Sequence, residues 1–350
     1  MRAVAPRPGR RALLLGCLGA VAGLAGCTSD GGAKGGPPRH VPTPDELAAG
    51  RAVLSARALI TELTALAVAS PALAPVLTPL TADHTAHLAA LGTPAASPSP
   101  SGTGAPPSPT ASATASGPAP TPAHLVASVL AAATQALQDV TGTTPATAGL
   151  LGRIAAARFV HADLVAAAAR LAAPPEPAPS PPAAPSTGAS PSGPSASSPS
   201  TPAATAGPSS ATGPTLAPAT ASALSRLLAG EHAAVFAYGL VTARAPRGRV
   251  ERARALWQAH RARRDEQEAR LAAAGVDVPA SEPAYDAGQP PTTADQVVAL
   301  AAKVEDGLAA VAFAAVTATS GSARAEVALD LVRAARRSAA WTGESTALPG

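Results

Sequence analysis

The stripe Leu224, Leu228, Glu231, Val235, Tyr238 and Thr242 advances in alternating steps of four and three, the spacing of one face of a helix turned to a core. A carboxylate, Glu231, stands in the middle of it. Later stripes keep the rhythm: Val250, Ala253, Trp257, His260, Arg264, Gln267, Leu271, and then Val327, Leu331, Ala334, Ser338, Trp341. Between them Val298, Ala301, Glu305, Leu308, Ala312 competes with Val297, Leu300, Val304, Val311, leaving Glu305 central or flanking. Ala and Leu, both strong helix formers, dominate, and no run of alternating β-branched residues appears. The pattern predicts an all-α chain with helices over 44–69, 73–91, 122–140 and 146–171, then over 219–244, 249–274, 293–319 and 322–341. Thr43 caps the first and Pro44 opens its first turn. "APRG" (245–248), "AGVDVP" (274–279) and "TSGS" (319–322) supply the later breaks.

Two tracts, 93–121 and 173–218, hold Pro, Ser, Thr, Ala and Gly with almost no large apolar side chain, and are expected to be disordered linkers. At about 3.1 Å per residue the second could reach on the order of 100 Å as an extended spacer. Its Ser and Thr are candidates for O-glycosylation. In each half the longest connection falls between the second and third helices, as a four-helix bundle with one crossover requires. Two tandem bundles are therefore expected, over 44–172 (interrupted by 93–121) and 219–342, with 343–350 as a tail. Pro75 and Pro79 are expected to disturb the second helix.

The N-terminus changes the address. Arg2, Arg7, Arg10 and Arg11 precede a short apolar stretch, 12–26, in the pattern of a secretory signal. "LAGC", Leu24 to Cys27, resembles the lipobox of bacterial lipoproteins, which implies cleavage before Cys27, lipid (palmitate among its acyl groups) on that residue, a tether over 27–43, and a place on the outer face of the cell membrane. "RRALLL" (10–15) loosely resembles a twin-arginine export signal, so the export route stays open. The chain has 26 Lys and Arg against 22 Asp and Glu. Losing 1–26 removes four arginines and no acid, so the mature charge is zero and the sequence pI of 9.7 gives no reason to expect nucleic-acid binding. Cys17 leaves with the signal and Cys27 carries lipid, so no disulfide, thiolate metal site or cysteine nucleophile is expected.

Glu231 lies about fifteen residues before the 245–248 turn, and His260 and Arg264 about thirteen and seventeen after it, which levels them to within one helical turn. Glu231, His260, Arg264 and Glu305 could thus share one buried layer. The leading expectation is a Glu–Arg–His network, because a fixed guanidinium neutralises a carboxylate and repels a cation. One metal at Glu231, His260 and Glu305, or a ligand pocket, are the alternatives. Tyr238 is expected to pack in the core, and His232 to make a surface or interhelix contact.

Four segments carry a family resemblance: "EHAAVFAYG" (231–239), "HRARRDEQEARLAAAG" (260–275), "EPAY" (282–285) and "KVEDGLAAVAFAAV" (303–316). Together they resemble the ferritin-like domain of a family of uncharacterised actinobacterial lipoproteins, over about 219–342. The resemblance implies a ferritin-like four-helix bundle and no known activity. Iron-binding ferritin relatives use a Glu from each of two helices and a Glu-x-x-His pair from each of the other two. Glu231 and Glu305 match the two single glutamates. Trp257 stands three residues before His260, where the pair needs Glu, and Ala334, Ala335 and Ser338 stand where fourth-helix ligands belong.

In the first half His84, His87 and His161 are a weaker metal candidate for zinc or copper. Comparing helix positions puts His87 and His161 on the order of 20 Å apart. No phosphate-binding glycine loop, Ser/His/Asp set or HExxH occurs. The chain is therefore expected to be a membrane-anchored, non-catalytic binding or structural module without cofactor, with an envelope protein or a second copy as possible partner. A ferritin-like iron or peroxide oxidoreductase using Glu231, His260 and Glu305 is the alternative, and an adhesin-like display stalk a third.

Overall fold

The computed structural model describes residues 40–92, 120–178 and 215–350. The signal segment, Cys27, the tether up to residue 39 and most of both Pro-rich tracts lie outside the described residues. Among those described are eight α-helices and no strand: α1 (Pro44–Ala69), α2 (Ala74–Ala90), α3 (Pro122–Asp139), α4 (Pro145–Ala168), α5 (Pro218–Arg244), α6 (Val250–Ala273), α7 (Ala294–Ala318) and α8 (Gly321–Thr342). The fold is all-α, as the periodicity predicts. Thr43 with Glu46, and Thr293 with Gln296, form capping boxes that satisfy the first amides of α1 and α7. Proline opens α1, α3, α4 and α5, where its missing N–H costs nothing. Pro75 and Pro79 do not break α2, contrary to expectation: Pro75 lies in its first turn and Pro79 just beyond, so few hydrogen bonds are lost.

Ion pairs fix the helix directions. Arg263 reaches Asp330 and Arg270 reaches Glu326, so rising numbers on α6 meet falling numbers on α8. The short α7–α8 turn makes those two antiparallel as well, and α6 and α7 therefore run parallel across the long 274–293 connection. In the first half Arg51–Asp139 and Glu62–His124 set α1 antiparallel to α3.

The described residues from Pro42 onward form one compact unit. Its centre is α4, which is buried on every face: Leu151, Ile154, Ala155, Ala157 and Phe159 all lie within the core. Ala148, Leu151 and Ala155 share a cluster with Val316, Val327, Leu331 and Ala335 of α7 and α8, so the two helix sets have a common core. Glycine allows the approach. A Cβ on Gly149 would stand 2.9 Å from Thr317 and 3.0 Å from the Phe313 ring.

After α8 the chain turns at Gly343, whose φ of 77° suits glycine. The 343–350 segment then runs back between the two sets. Ser345 donates to Asp83, Arg153 donates to the carbonyls of Leu348 and Pro349, and Gly350 packs on Phe313 and Leu331. By length and composition α1 could cross a membrane. Its Ala52, Ala56, Leu59, Leu63 and Leu66 are buried among the other helices, while Leu47, Leu54 and Val68 are exposed.

Candidate functional site

The stripes of α5, α6 and α7 bring Glu231, His260 and Glu305 to one level, all buried. Nδ1–H of His260 donates to Oε2 of Glu231 at 2.9 Å, and Nε2–H donates to Oε1 of Glu305 at 3.0 Å. Tyr238 donates to that same Glu305 oxygen at 2.6 Å, and Trp341 Nε1 donates to the Tyr238 hydroxyl at 3.0 Å. The result is a continuous chain, Trp341–Tyr238–Glu305–His260–Glu231, spanning α5 to α8. Tyr238 packs in the core as expected, its ring 4.7 Å from that of His260, and is also a polar link. Burial, reinforced by the Glu305 charge, pushes the Tyr238 phenol up, so it remains a donor.

Both nitrogens of His260 face carboxylates, so both carry protons and the ring is an imidazolium. Burial alone would lower its pKa; the hydrogen bonds to Glu231 and Glu305, and their charges, outweigh burial and hold it above the ordinary value of 6.5. A raised histidine contributes stability in full below about pH 6.5, and the contribution is lost as pH rises through the folded-state value. Unfolding by urea should therefore show wild type losing its advantage over His260→Gln on the alkaline side of about pH 6.5. An advantage that grows with rising pH would contradict the imidazolium.

Arg264 is not in this layer. Its guanidinium turns outward to Asp265, itself 61% exposed, and the expectation that it neutralises Glu231 is overturned. The inward arginine is Arg263, which pairs with Asp330 at 2.5 Å and with Glu266 at 2.6 Å. Steps of three and four from His260 both fit the seam, and the choice between them rests on Asp330 across the interface. Asp330 lies one residue off the α8 stripe, which read from the sequence as free of ionisable groups. Arg263 and Asp330, with Glu231, Leu227, Leu308 and Arg337, line a cavity of about 310 Å³. His232 makes an interhelix contact, 3.5 Å from Glu268 of α6.

The ring of His260 separates the two glutamates, each of which reaches a different nitrogen. One ion cannot take all three side chains as they stand. Trp257 instead donates to the carbonyl of Val235. The donor set therefore does not fit the two-metal centre of the iron-binding relatives. Oε2 of Glu305 is buried and has no hydrogen-bond partner.

A second polar centre lies between α2 and α4, where the expected separation of about 20 Å is wrong. Nε2 of His84 is 3.3 Å from Nδ1 of His161, and the rings of His87 and His161 stack at 6.1 Å. The expectation levelled the helix ends, but α4 is staggered. Its first turns run past the end of α2 against α7 and α8, so His161 meets the last turns of α2. Asp83 accepts from His161 Nε2 at 3.0 Å, and the Ala347 carbonyl accepts from His87 Nε2 at 2.6 Å. Burial lowers the pKa of all three rings, taking His87 to about 3, so they are neutral imidazoles.

The chain is similar to a solved structure, that of a conserved hypothetical protein, rv2844, from Mycobacterium tuberculosis, at 29% identity over 36% of this chain and 96% of that one, with a TM-score of 0.34. No curated protein matches it. What the comparisons establish is local to the second helix set and its tail: residues 223–350 match the family described as Domain of unknown function (DUF4439).

Proposed function

We propose that the chain is a lipid-anchored envelope protein on the outer face of the cell membrane, and that its α5–α8 set is a ferritin-like bundle serving as a non-catalytic binding or structural module. One observation carries the second half of this reading. His260 spends both ring nitrogens on Glu231 and Glu305, so an imidazolium occupies the position between the carboxylates that a metal would need. The anchor rests on "LAGC" at 24–27. It is supported by the first helix after it, which turns Leu47, Leu54 and Val68 outward, as suits a face held close to lipid. The partner is a protein of the envelope or a second copy of the chain, not nucleic acid.

The full-length protein is the sample to use, because the two helix sets share a core. Labelled palmitate should enter the wild-type chain in membranes and be absent from Cys27→Ala, which should be released. Protein from iron-supplemented cells should oxidise Fe(II) no faster than His260→Gln. Equal membrane retention of Cys27→Ala would remove the anchor, and His260-dependent iron oxidation would remove the non-catalytic reading. The second outcome would instead favour an iron or peroxide oxidoreductase using Glu231, His260 and Glu305, for which the unpartnered Oε2 of Glu305 is the supporting observation.

A further inference from the structure

Three arginines crowd the second half of α8: Arg333, Arg336 and Arg337. With Arg252 of α6, Asp163 of α4 and Glu176 of the segment after α4, they line a cleft of about 270 Å³. Four cations there face two anions. A concave surface with an excess of one sign focuses its field on the space it encloses and draws in the opposite charge.

How the two acids are spent decides which cations remain. Both oxygens of Asp163 accept from Arg336, at 2.7 and 2.8 Å. The same guanidinium donates to the carbonyls of Pro174 and Pro175 at 3.1 and 3.2 Å, so Arg336 is a strut that holds the 174–176 segment to α8. Glu176 accepts from Nε of Arg333 at 2.8 Å, and Asp330 accepts from its Nη1 at 3.3 Å, which leaves Nη2 of Arg333 for another acceptor. Glu176 is 64% exposed, and an ion pair so open to water is weak and easily displaced. Arg252 donates to the Ala340 carbonyl near the end of α8 and lies 5.9 Å from the centre of the Trp341 ring. No acid pairs with it among the described residues. Arg337, half-buried, makes neither a hydrogen bond nor an ion pair among the described residues. The acids on its other side are held elsewhere: Glu231 by His260 and Asp330 by Arg263.

The free N–H groups select the ligand. Arg252, Arg333 and Arg337 offer them around one space from two helices, and each guanidinium fork can take two oxygens of an anion. A carboxylate has only two oxygens to share among three forks. A phosphate monoester has three terminal oxygens and a charge of about −1.5 to −2, which matches the two cations left without an acid. At roughly 30 Å³ per heavy atom, the share of a water molecule, a phosphate group fills about half of the cleft. Leu256 and Ala340 give the remainder an apolar wall, which suits a small carbon substituent.

We propose that the cleft between α6 and α8 binds a phosphate monoester, with Arg252, Arg333 and Arg337 as its donors and Arg336 as a positioning residue. Such a group is carried by soluble esters and by the headgroup of phosphatidic acid. The site uses no residue of the Glu231–His260–Glu305 layer and does not rest on the membrane anchor. The test is calorimetric titration of the full-length protein with glycerol 1-phosphate in phosphate-free buffer. A parallel arm measures sedimentation with phosphatidylcholine vesicles with and without phosphatidic acid. One phosphate group per chain is expected. Arg337→Gln breaks no hydrogen bond among the described residues, so it should fold, and it should weaken binding about 10–100-fold. Glu176→Gln removes the competitor for Arg333 and should tighten binding. Arg264→Gln removes a surface arginine outside the cleft and should change neither arm. Arg337-dependent binding of the soluble ester supports the proposal and assigns a soluble source; Arg337-dependent binding confined to phosphatidic acid vesicles supports it and assigns a headgroup. Absence of binding in both arms would overturn it. So would full binding in Arg337→Gln, an equal loss in Arg264→Gln, weaker binding in Glu176→Gln, or displacement by an equal concentration of acetate.

Discussion

His260→Ala should destabilise the protein by about 3–5 kcal/mol at neutral pH, the cost of breaking a buried ion pair by removing one partner. The substitution strands Glu231 and Glu305 together, both buried, and Glu305 is left with Tyr238 as its donor. Against a total stability of about 5–15 kcal/mol for a typical fold, that is a large share. Arg264→Ala should stay within about 0.5 kcal/mol, since its partner Asp265 is a surface residue. Urea unfolding followed by circular dichroism on the full-length chain measures both. A large loss at Arg264 together with a small one at His260 would return the neutralising role to the arginine.

Leu331→Ala should cost about 2–5 kcal/mol, the range for a buried leucine whose neighbours cannot collapse into the gap. Leu331 is fully buried where α8 meets α4, 3.6 Å from a Cβ placed on Gly152 and 3.3 Å from one placed on Gly350. It therefore touches both helix sets and the returning C-terminal segment. Because the core is continuous, the variant and the wild type should each unfold in one transition. Trp257 and Trp341 both lie in the second set, so their fluorescence reports that set while far-ultraviolet dichroism reports helices of both sets. Midpoints that differ between the two probes would mean that the sets unfold separately and that Leu331 does not couple them.

The polar centre was legible where two simple measures agreed. Glu231, His260 and Glu305 each fall in a stripe of 3.6-residue period, and counting from the 245–248 turn levels the first two. Arg264 misled because it satisfies both measures. An arginine one position earlier fits almost as well, and its long side chain goes where the anion is. Asp330 gave no sign of itself, because it lies beside the stripe rather than in it. The histidine trio failed for a different reason: its residues were singled out, but the count assumed level helix ends.

Local chemistry in the chain fixes the eight helices of the described residues, their caps, their breaks and the crossover between α6 and α7, because these follow from periodicity, proline placement and loop length within short stretches. Tertiary structure alone decided how the helices slide along one another and which side chain meets which. The stagger of α4, its burial on all faces between two helix sets, the return of 343–350 over His87 and the choice of Arg263 over Arg264 depend on contacts between residues more than fifty positions apart. Shifting a helix by one turn costs the local sequence nothing, and only the shape and charge of the facing surfaces select the register.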